Sequence, residues 1–164
     1  MSEAPDGGHD SRSDEDQRVE PGPPAPDGDA YSWYRRGLDL LGRGSAAAAA
    51  QLLQRAAEAE PGSRSVLEAL GRAQFDAGRY AAAADSFRRI VEASPSDDYA
   101  HFGLGLALAR DGNPAAAAEY LALAAAMRPD LPHYTDALRG VRATLRARAA
   151  PEPPAPPPGG DTPG

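Results

Sequence analysis

Few side chains in this sequence have the types and spacing that enzymes use. The chain of 164 residues has no cysteine, and all 17 of its basic residues are arginine. Thiolate metal sites, cysteine nucleophiles and lysine-dependent Schiff-base or phosphate-loop chemistry are therefore excluded. The three histidines, His9, His101 and His133, lie too far apart for the HxxxH or HExxH spacing of a metal site. We expect a non-catalytic protein without a metal or a cofactor.

A short glycine pattern is the other feature that could indicate a ligand site. Gly103-Leu104-Gly105 resembles the start of a dinucleotide-binding loop. It has no third glycine at the required spacing and no strand pattern before it, so we interpret these glycines as packing positions in a helix. His101 lies two residues earlier, and we interpret it as a packed structural histidine rather than as a ligand or a base.

Proline, aromatic residues and charge divide the chain into three parts. Twelve of the 17 prolines lie in residues 1–29 and 151–164, whereas all ten aromatic residues lie between 30 and 150. Residues 1–29 hold nine acids against two arginines, while residues 30–150 hold thirteen acids against fifteen arginines. We expect a disordered acidic tail at 1–29, a folded domain at 30–149 and a disordered proline-rich tail at 150–164.

The sequence has no membrane-targeting feature. No stretch approaches the 18 or more apolar residues of a membrane span, and the N-terminus lacks the basic and apolar segments of a signal peptide. We therefore expect a cytoplasmic protein that does not bind membranes. The PxxP spacings of the C-terminal tail could fit an aromatic-lined groove. Such spacings arise in any proline run, so we interpret this segment as a linker or tail.

A period of 34 residues is the strongest signal in the sequence. It predicts three tandem repeats, at 30–63, 64–97 and 98–131. Proline recurs at the same position of every repeat, and four further columns are in phase with it. The five columns are Pro61, Pro95 and Pro129; Gly37, Gly71 and Gly105; Gly44, Gly78 and Gly112; Ala49, Ala83 and Ala117; and Leu53, Phe87 and Leu121.

Each repeat is predicted to form two helices joined by a turn that contains glycine. Ser45 and Asn113 precede the second helices of their repeats, where their side chains could cap the free backbone N–H groups. Pro114 follows at the first helical position, where its missing N–H and fixed φ cost nothing. The sequence thus predicts an all-α solenoid of three helix pairs.

A last predicted helix, 132–149, has an apolar face and a basic face. Its apolar residues, Leu138, Val141 and Leu145, have no partner helix after them, so we expect this helix to cap the open end of the last repeat. The basic residues of the other face are Arg139, Arg142 and Arg146. We interpret them as a solvated face and expect no nucleic-acid binding, because the folded part is nearly neutral.

Helix pairs with these columns resemble the tetratricopeptide repeat. That family has small residues at repeat positions 8 and 20, a large residue at position 24 and proline at position 32, and all three copies here have this pattern. The departures are Arg36 at position 7, Gln74 at position 11, His101 at position 4 and Ile90 at position 27. The resemblance covers about residues 30–131, and it implies a three-repeat helical solenoid with 132–149 as a capping helix.

The resemblance also implies a function on the face formed by the first helices of the repeats. The side chains expected there are largely aromatic and aliphatic, with the Tyr and Arg that binding hot spots favour. We predict a protein-interaction module, an adaptor or scaffold, that binds a partner peptide or helix in an apolar, Tyr-rich groove. The predicted groove residues are Tyr31, Tyr34, Leu38, Leu41, Glu68, Arg72, Phe75, Tyr99, Phe102, Leu106 and Arg110.

Other interpretations of the same surface remain open. Some of these side chains could pack between neighbouring first helices instead of facing a partner. The groove or the Ala-rich second helices could also form an oligomer interface, which would give the protein a structural or self-assembly role. In addition, the acidic tail could fold back on the basic last helix or compete for the groove.

One subfamily of partners can be tested by residue type. Chaperone-binding members of the family hold a C-terminal carboxylate with Lys, Asn and Arg at five positions. In this sequence the corresponding residues are Tyr34, Leu38, Ala69, Tyr99 and Gly103. They supply none of the charge-assisted donors that a terminal carboxylate needs. The resemblance therefore implies a protein or peptide partner other than a carboxylate-clamp chaperone, and it does not identify that partner.

Overall fold

Seven α-helices make up most of the chain that the structure describes. A computed structural model describes residues 28–155, and this range contains no strand. The helices are α1 (Ala30–Gly42), α2 (Ala46–Ala59), α3 (Arg64–Asp76), α4 (Tyr80–Ala93), α5 (Asp98–Arg110), α6 (Pro114–Met127) and α7 (Pro132–Ala149). The two predicted tails, 1–29 and 150–164, lie mostly outside the described residues.

A glycine with positive φ separates the two helices of each pair. The φ angles of Gly44, Gly78 and Gly112 are 78°, 75° and 89°. Residues with a side chain rarely adopt this left-handed conformation, whereas glycine adopts it without steric cost. The requirement of the turn for glycine therefore explains this column of the 34-residue period.

Side-chain caps begin four of the helices. The carboxylates of Asp29 and Asp97 accept hydrogen bonds from the backbone N–H groups of Ser32 and Ala100, at 2.8 and 3.0 Å. Equivalent caps come from the Ser63 hydroxyl, bonded to Val66 N–H, and from the predicted Asn113, bonded to Ala116 N–H. The predicted cap at Ser45 is wrong. This residue has ψ 58° and makes no capping bond, because its short hydroxyl does not reach from a backbone that is not extended.

The two helices of each pair approach closely at the first glycine of the repeat. A Cβ atom on Gly37 would lie 2.6 Å from Cγ of Leu53, and one on Gly105 would lie 2.6 Å from Cγ of Leu121. At Gly71 the closest atom would belong to the Phe87 ring, at 2.8 Å. Glycine at position 8 therefore receives the large residue of position 24, and this contact places the two helices in the same way in every pair.

The pairs stack in chain order, and α7 covers the end of the stack. The first helices contact one another in the series α1, α3, α5 and α7, while each of them also packs against its neighbour in sequence. Tyr134, Leu138 and Val141 of α7 are buried, and the arginines of its other face are exposed. The predicted all-α solenoid of helix pairs with a final capping helix is confirmed. No helix within residues 28–155 is long and apolar enough to span a bilayer.

Two departures from the repeat pattern are explained by buried hydrogen bonds. The side-chain oxygen of Gln74 accepts a bond of 2.6 Å from the Ser86 hydroxyl, so α3 and α4 share a satisfied polar pair in the core. His101 is only 4% exposed, and its Nδ1 lies 2.8 Å from the carbonyl oxygen of Asp97. Both polar residues thus replace apolar ones without leaving a buried group unpaired.

Candidate functional site

Helices α3 and α5 form a cleft between them, and a side chain of α4 closes its floor. The cleft has a volume of about 230 Å³. Five of the predicted groove residues meet here, together with three residues that were not among them. The lining residues are Arg72, Phe75, Asp76, Phe87, Tyr99, Phe102, Gly103 and Leu106. We call this site the α3–α5 cleft.

Two glycines make room for the aromatic floor of the α3–α5 cleft. A Cβ on Gly103 would lie 2.6 Å from the Phe87 ring, and a Cβ on Gly71 would lie 2.8 Å from the same ring. The Phe87 ring therefore lies between two helix backbones, with α3 on one side and α5 on the other. Any larger residue at either glycine would displace the ring, so both glycines define the shape of the cleft.

Aromatic rings continue from this floor to the capping helix. Tyr99 packs edge-on against Phe87 at a centroid distance of 6.3 Å and lies 6.4 Å from Phe102. The Phe102 ring is stacked on the Tyr134 ring of α7 at a centroid distance of 4.5 Å. The His133 ring packs against Phe102 in a T-shaped arrangement at 5.3 Å. The Phe102 ring thus packs between first helices, as the alternative interpretation expected, while it also lines the cleft.

Three polar side chains of the cleft, those of Arg72, Asp76 and Tyr99, make no hydrogen bond within the described residues. Tyr99 is half-buried, and this burial raises the pKa of its phenol. Its hydroxyl and the guanidinium of Arg72, which is exposed, make no hydrogen bond within residues 28–155. Because a guanidinium only donates, a neutral phenol donates readily and a carboxylate only accepts, the cleft offers donors to carbonyl oxygens and one acceptor, Asp76, to N–H groups of a ligand.

Two other charged residues of the predicted groove are held by the protein itself. The guanidinium of Arg110 lies 4.8 Å from the centre of the Tyr80 ring and 5.7 Å from that of Phe75, and it donates a 2.6 Å bond to the Tyr80 hydroxyl. Glu68 is ion-paired with Arg64. The contacts of Arg110 join α5 to α3 and α4, whereas the Glu68 ion pair lies within α3.

The remaining predicted residues lie away from the α3–α5 cleft. Tyr31 and Tyr34 line a separate cleft of about 210 Å³, between the start of α1 and the start of α3. Tyr31 is 67% exposed. Leu38 and Leu41 are partly buried and pack against the hydrophobic core. The predicted groove residues therefore divide between two clefts and the core edge.

In the sequence, Phe87 was predicted only as the large residue at position 24 of its repeat, and no role was predicted for Tyr134. A signal for Phe87 was present, because Gly103 lies two residues before the recurring Gly105 and is not part of any column. An additional glycine on a first helix indicates close approach of another group. No comparable signal marks Tyr134, since its stacking on Phe102 depends on how α7 packs against α5.

The residues at the five clamp positions are buried or partly buried in the structure. Ala69 and Gly103 are buried, while Tyr34, Leu38 and Tyr99 are partly buried. None of the five carries a positive charge. Over residues 28–155, no three His, Asp or Glu side chains form a group that could hold a metal ion.

The repeat pattern and the helix pairs match a known family. The family model described as tetratricopeptide repeat matches residues 34–98 and 72–132. The chain belongs to the tetratricopeptide repeat family. Members of this family generally have a non-catalytic fold that mediates protein interactions. No curated protein matches the chain significantly in sequence.

Solved tetratricopeptide structures have the same fold. The Sgt2 domain from Aspergillus fumigatus has a TM-score of 0.70 at 20% identity, over 85% of this chain and 94% of that one. The first domain of Spaghetti (RPAP3), bound to the HSP90 peptide SRMEEVD, has a TM-score of 0.67 at 18% identity, over 71% of this chain and 93% of that one. MamA from Desulfovibrio magneticus RS-1 has a TM-score of 0.69 at 21% identity, over 74% of this chain and 68% of that one. At these identities the likeness concerns the fold.

Proposed function

We propose that this tetratricopeptide repeat protein is a non-catalytic adaptor that binds a peptide segment of a partner protein in the α3–α5 cleft. The observation that carries the proposal is the cleft itself, an aromatic site in which the Tyr99 hydroxyl and the Arg72 guanidinium make no hydrogen bond within residues 28–155. A cytoplasmic location and a folded unit at 30–149 remain predictions.

The chemistry of the cleft suits an apolar anchor with a hydrogen-bonding backbone. Burial of one aliphatic or aromatic side chain against Phe87 and Leu106 would contribute about 1.5–3 kcal/mol. Tyr99 and Arg72 would orient the peptide by donating to its carbonyl oxygens. No lysine or asparagine of a carboxylate clamp lies nearby, so we propose an internal segment of the partner rather than a C-terminal carboxylate.

Selection from a displayed random-peptide library, with the full chain as bait, tests the proposal. Selected peptides should bind Arg72→Ala and Tyr99→Ser at least about 10-fold more weakly, which corresponds to about 1.4 kcal/mol. Tyr31→Ala is the matched control, because it removes an exposed tyrosine from the other cleft. Peptides that bind all three variants equally well would place the binding surface elsewhere and contradict the proposal.

Self-association is a second candidate function, favoured by the surface of α6. Leu123 is 47% exposed and Met127 is 37% exposed, one helical turn apart. A helix that is apolar on all sides is normally covered, and the charged residue of α6 is Glu119. If this face forms an oligomer interface, light scattering should give a mass above one chain that falls to one chain in Leu123→Arg. A monomer at all concentrations would exclude this role.

A further inference from the structure

We propose that residues 19–27, which directly precede the described part of the chain, lie along α1 and cover the open N-terminal end of the solenoid. The surface that they would cover consists of Trp33, Arg36 and Leu40, and we call it the α1 end face. The segment would thus replace, for the first repeat, the second helix that covers each later repeat.

The surface that corresponds to the α1 end face is buried in the later repeats. Each first helix after α1 packs against the second helix that precedes it, in the contacts of α2 with α3, α4 with α5 and α6 with α7. At repeat position 7, Leu70 and Leu104 are accordingly only 1% and 0% exposed. Arg36 is exposed at the same position, and Leu40 is partly buried. Because α1 is the first helix of the described residues, they contain no second helix that could cover this face.

The chain enters α1 at this face. Trp33 is at repeat position 4, where Leu67 and His101 of the later repeats are both 4% exposed. Gly28, the first described residue, has a φ of 100° and lies against the Trp33 ring, since a Cβ on it would be 3.2 Å from Nε1 of Trp33. Residues 19–27 are therefore joined directly to a residue that already contacts the α1 end face, and they have no other element to cross.

The segment is long enough to follow the α1 end face to its far end. Leu40 lies seven residues after Trp33, which is about 10 Å along the helix axis at 1.5 Å per residue. Residues 21–26 include four prolines, which favour an extended chain that advances about 3.1 Å per residue. From Gly28, three such residues reach the level of Leu40, so Ala25 would lie beside it.

The composition and charge of the segment also match the α1 end face. Its prolines and Val19 are apolar groups that can pack on Trp33 and Leu40, and proline-rich chains pack well against aromatic rings. Its charged residues are acidic, Glu20 and Asp27, whereas the guanidinium of Arg36 makes no hydrogen bond or ion pair within residues 28–155.

A second copy is a poorer occupant of the same face. Copies stacked end to end would bring Arg36 of one molecule toward the exposed face of α7 in the next, which carries Arg142 and Arg146. Like charges placed opposite each other oppose association. The charge of the α1 end face therefore favours the acidic segment of the same chain.

The fluorescence of Trp33 tests the inference, because Trp33 is the single tryptophan of the chain. Deletion of residues 2–27 should shift its emission to longer wavelength and increase its quenching by acrylamide. The same deletion should lower the melting temperature by about 4 °C, the shift that the loss of a modest apolar contact produces in a domain of this size. Deletion of residues 2–18 is the matched control, since it removes most of the acidic residues but keeps the segment, and it should change none of these readings.

Three results of this experiment would overturn the inference. The first is an emission spectrum that the larger deletion leaves unchanged. The second is an equal change in both deletions, which would assign the effect to residues 2–18. The third is an emission of the full chain that shifts to longer wavelength on dilution, since a second copy would then cover Trp33.

An introduced cysteine pair tests the position of the segment without any deletion, because the chain has no cysteine of its own. Ala25→Cys/Leu40→Cys should form an intramolecular disulfide under mild oxidation, since such a bridge requires Cα atoms within about 7 Å of each other. Ala25→Cys/Arg142→Cys is the matched control and tests whether the acidic tail lies on α7 instead. It should oxidise much more slowly at the same dilution. Equal oxidation rates of the two pairs, or faster oxidation of the control pair, would overturn the inference.

Discussion

Glycines of similar appearance in the sequence have opposite roles in this solenoid. Gly105 lies inside α5, where a Cβ would be 2.6 Å from Cγ of Leu121 and 3.2 Å from the backbone oxygen of Ala117. Gly140 lies inside α7, where a Cβ would meet nothing within 4 Å. Both are interior helical positions, so the difference between them isolates the effect of packing from the intrinsic helix preference.

We predict that Gly105→Ala and Gly140→Ala change stability in opposite directions. Gly105→Ala should lower the free energy of unfolding by about 1–3 kcal/mol, because the new methyl group overpacks the contact between α5 and α6. Gly140→Ala should raise it by about 0.5–1 kcal/mol, since alanine favours a helix more than glycine does. Urea denaturation measures both. Equal changes in the two variants would show that the close contact between α5 and α6 at Gly105 does not affect stability.

For individual residues, the sequence predicted which side chains pack in the core but not which aromatic rings together form a site. The period located Gly71 and Phe87 in their columns, because helix pairing repeats with the chain. The cleft depends additionally on Gly103 and on the stacking of Phe102 with Tyr134, contacts that occur in one repeat only. A periodic pattern contains no information about such single contacts, so the predicted groove was more continuous than the observed clefts.

Among the elements, α5 is connected to α3 through its own N-terminal cap. Asp97 accepts the Ala100 N–H bond that caps α5, and it also accepts a 2.6 Å bond from Nε of Arg64 on α3. Burial would raise the pKa of this carboxyl, but the hydrogen bonds from Arg64 and Ala100 outweigh that effect and hold the pKa below its ordinary value. One carboxylate thus stabilises a helix end and a contact between repeats.

We predict that the contribution of Asp97 to stability is lost in acid. A lowered pKa in the folded state stabilises the protein above the unfolded-state pKa of about 3.9, and this stabilisation disappears as the pH falls through the folded-state value. At pH 7, Asp97→Asn should cost about 0.5–1 kcal/mol, because it keeps the cap and weakens a half-exposed ion pair. Asp97→Ala should cost about 1 kcal/mol more, since it also removes the cap.

Chemical denaturation at pH 7, 5 and 3 measures these differences. The difference in unfolding free energy between wild type and Asp97→Asn should begin to narrow between pH 5 and 3, because the Asp97 carboxyl of the unfolded chain takes up a proton in this range while the folded one has a lower pKa. The gap between Asp97→Asn and Asp97→Ala should persist at pH 3, because the Asn amide does not titrate. If the difference in unfolding free energy between wild type and Asp97→Asn did not depend on pH, the ion pair with Arg64 would not stabilise the native state.

At the scale of the whole molecule, the apolar face of α7 ends the hydrophobic core. Tyr134, Leu138 and Val141 are buried, and they would be absent from a chain that stops at Leu131. We predict that this truncation lowers the melting temperature by about 10 °C or more, because it exposes the facing surfaces of α5 and α6. A chain that stops at Ala150 is the control and should melt within about 2 °C of the full chain. Equal melting of all three chains would mean that α7 contributes no stability.

The architecture at this scale could be predicted almost completely from the sequence. Position 132 was predicted to begin the capping helix and position 149 to end it, and α7 has these bounds. The period succeeds here because each helix pair must bury the same face against the next one, so the spacing of apolar and small residues reflects the stacking directly. The positions of the predicted groove side chains could be predicted less well, since they depend on contacts that occur in one repeat only, such as that of Phe102 with Tyr134 of α7.

The recurrence of Gly44, Gly78 and Gly112 in the same left-handed turn has a consequence for how the molecule can be lengthened. Each helix pair begins and ends at the same point of the 34-residue period, so an in-frame duplication of residues 64–97 would join two compatible ends. The added pair would meet the surfaces that α3 and α4 present to α5, but it would place Ala69 where Gly103 now leaves room for the Phe87 ring. The turns would therefore allow the array to grow by whole units, whereas the contact around Phe87 would require a substitution of Ala69 by glycine in the added unit.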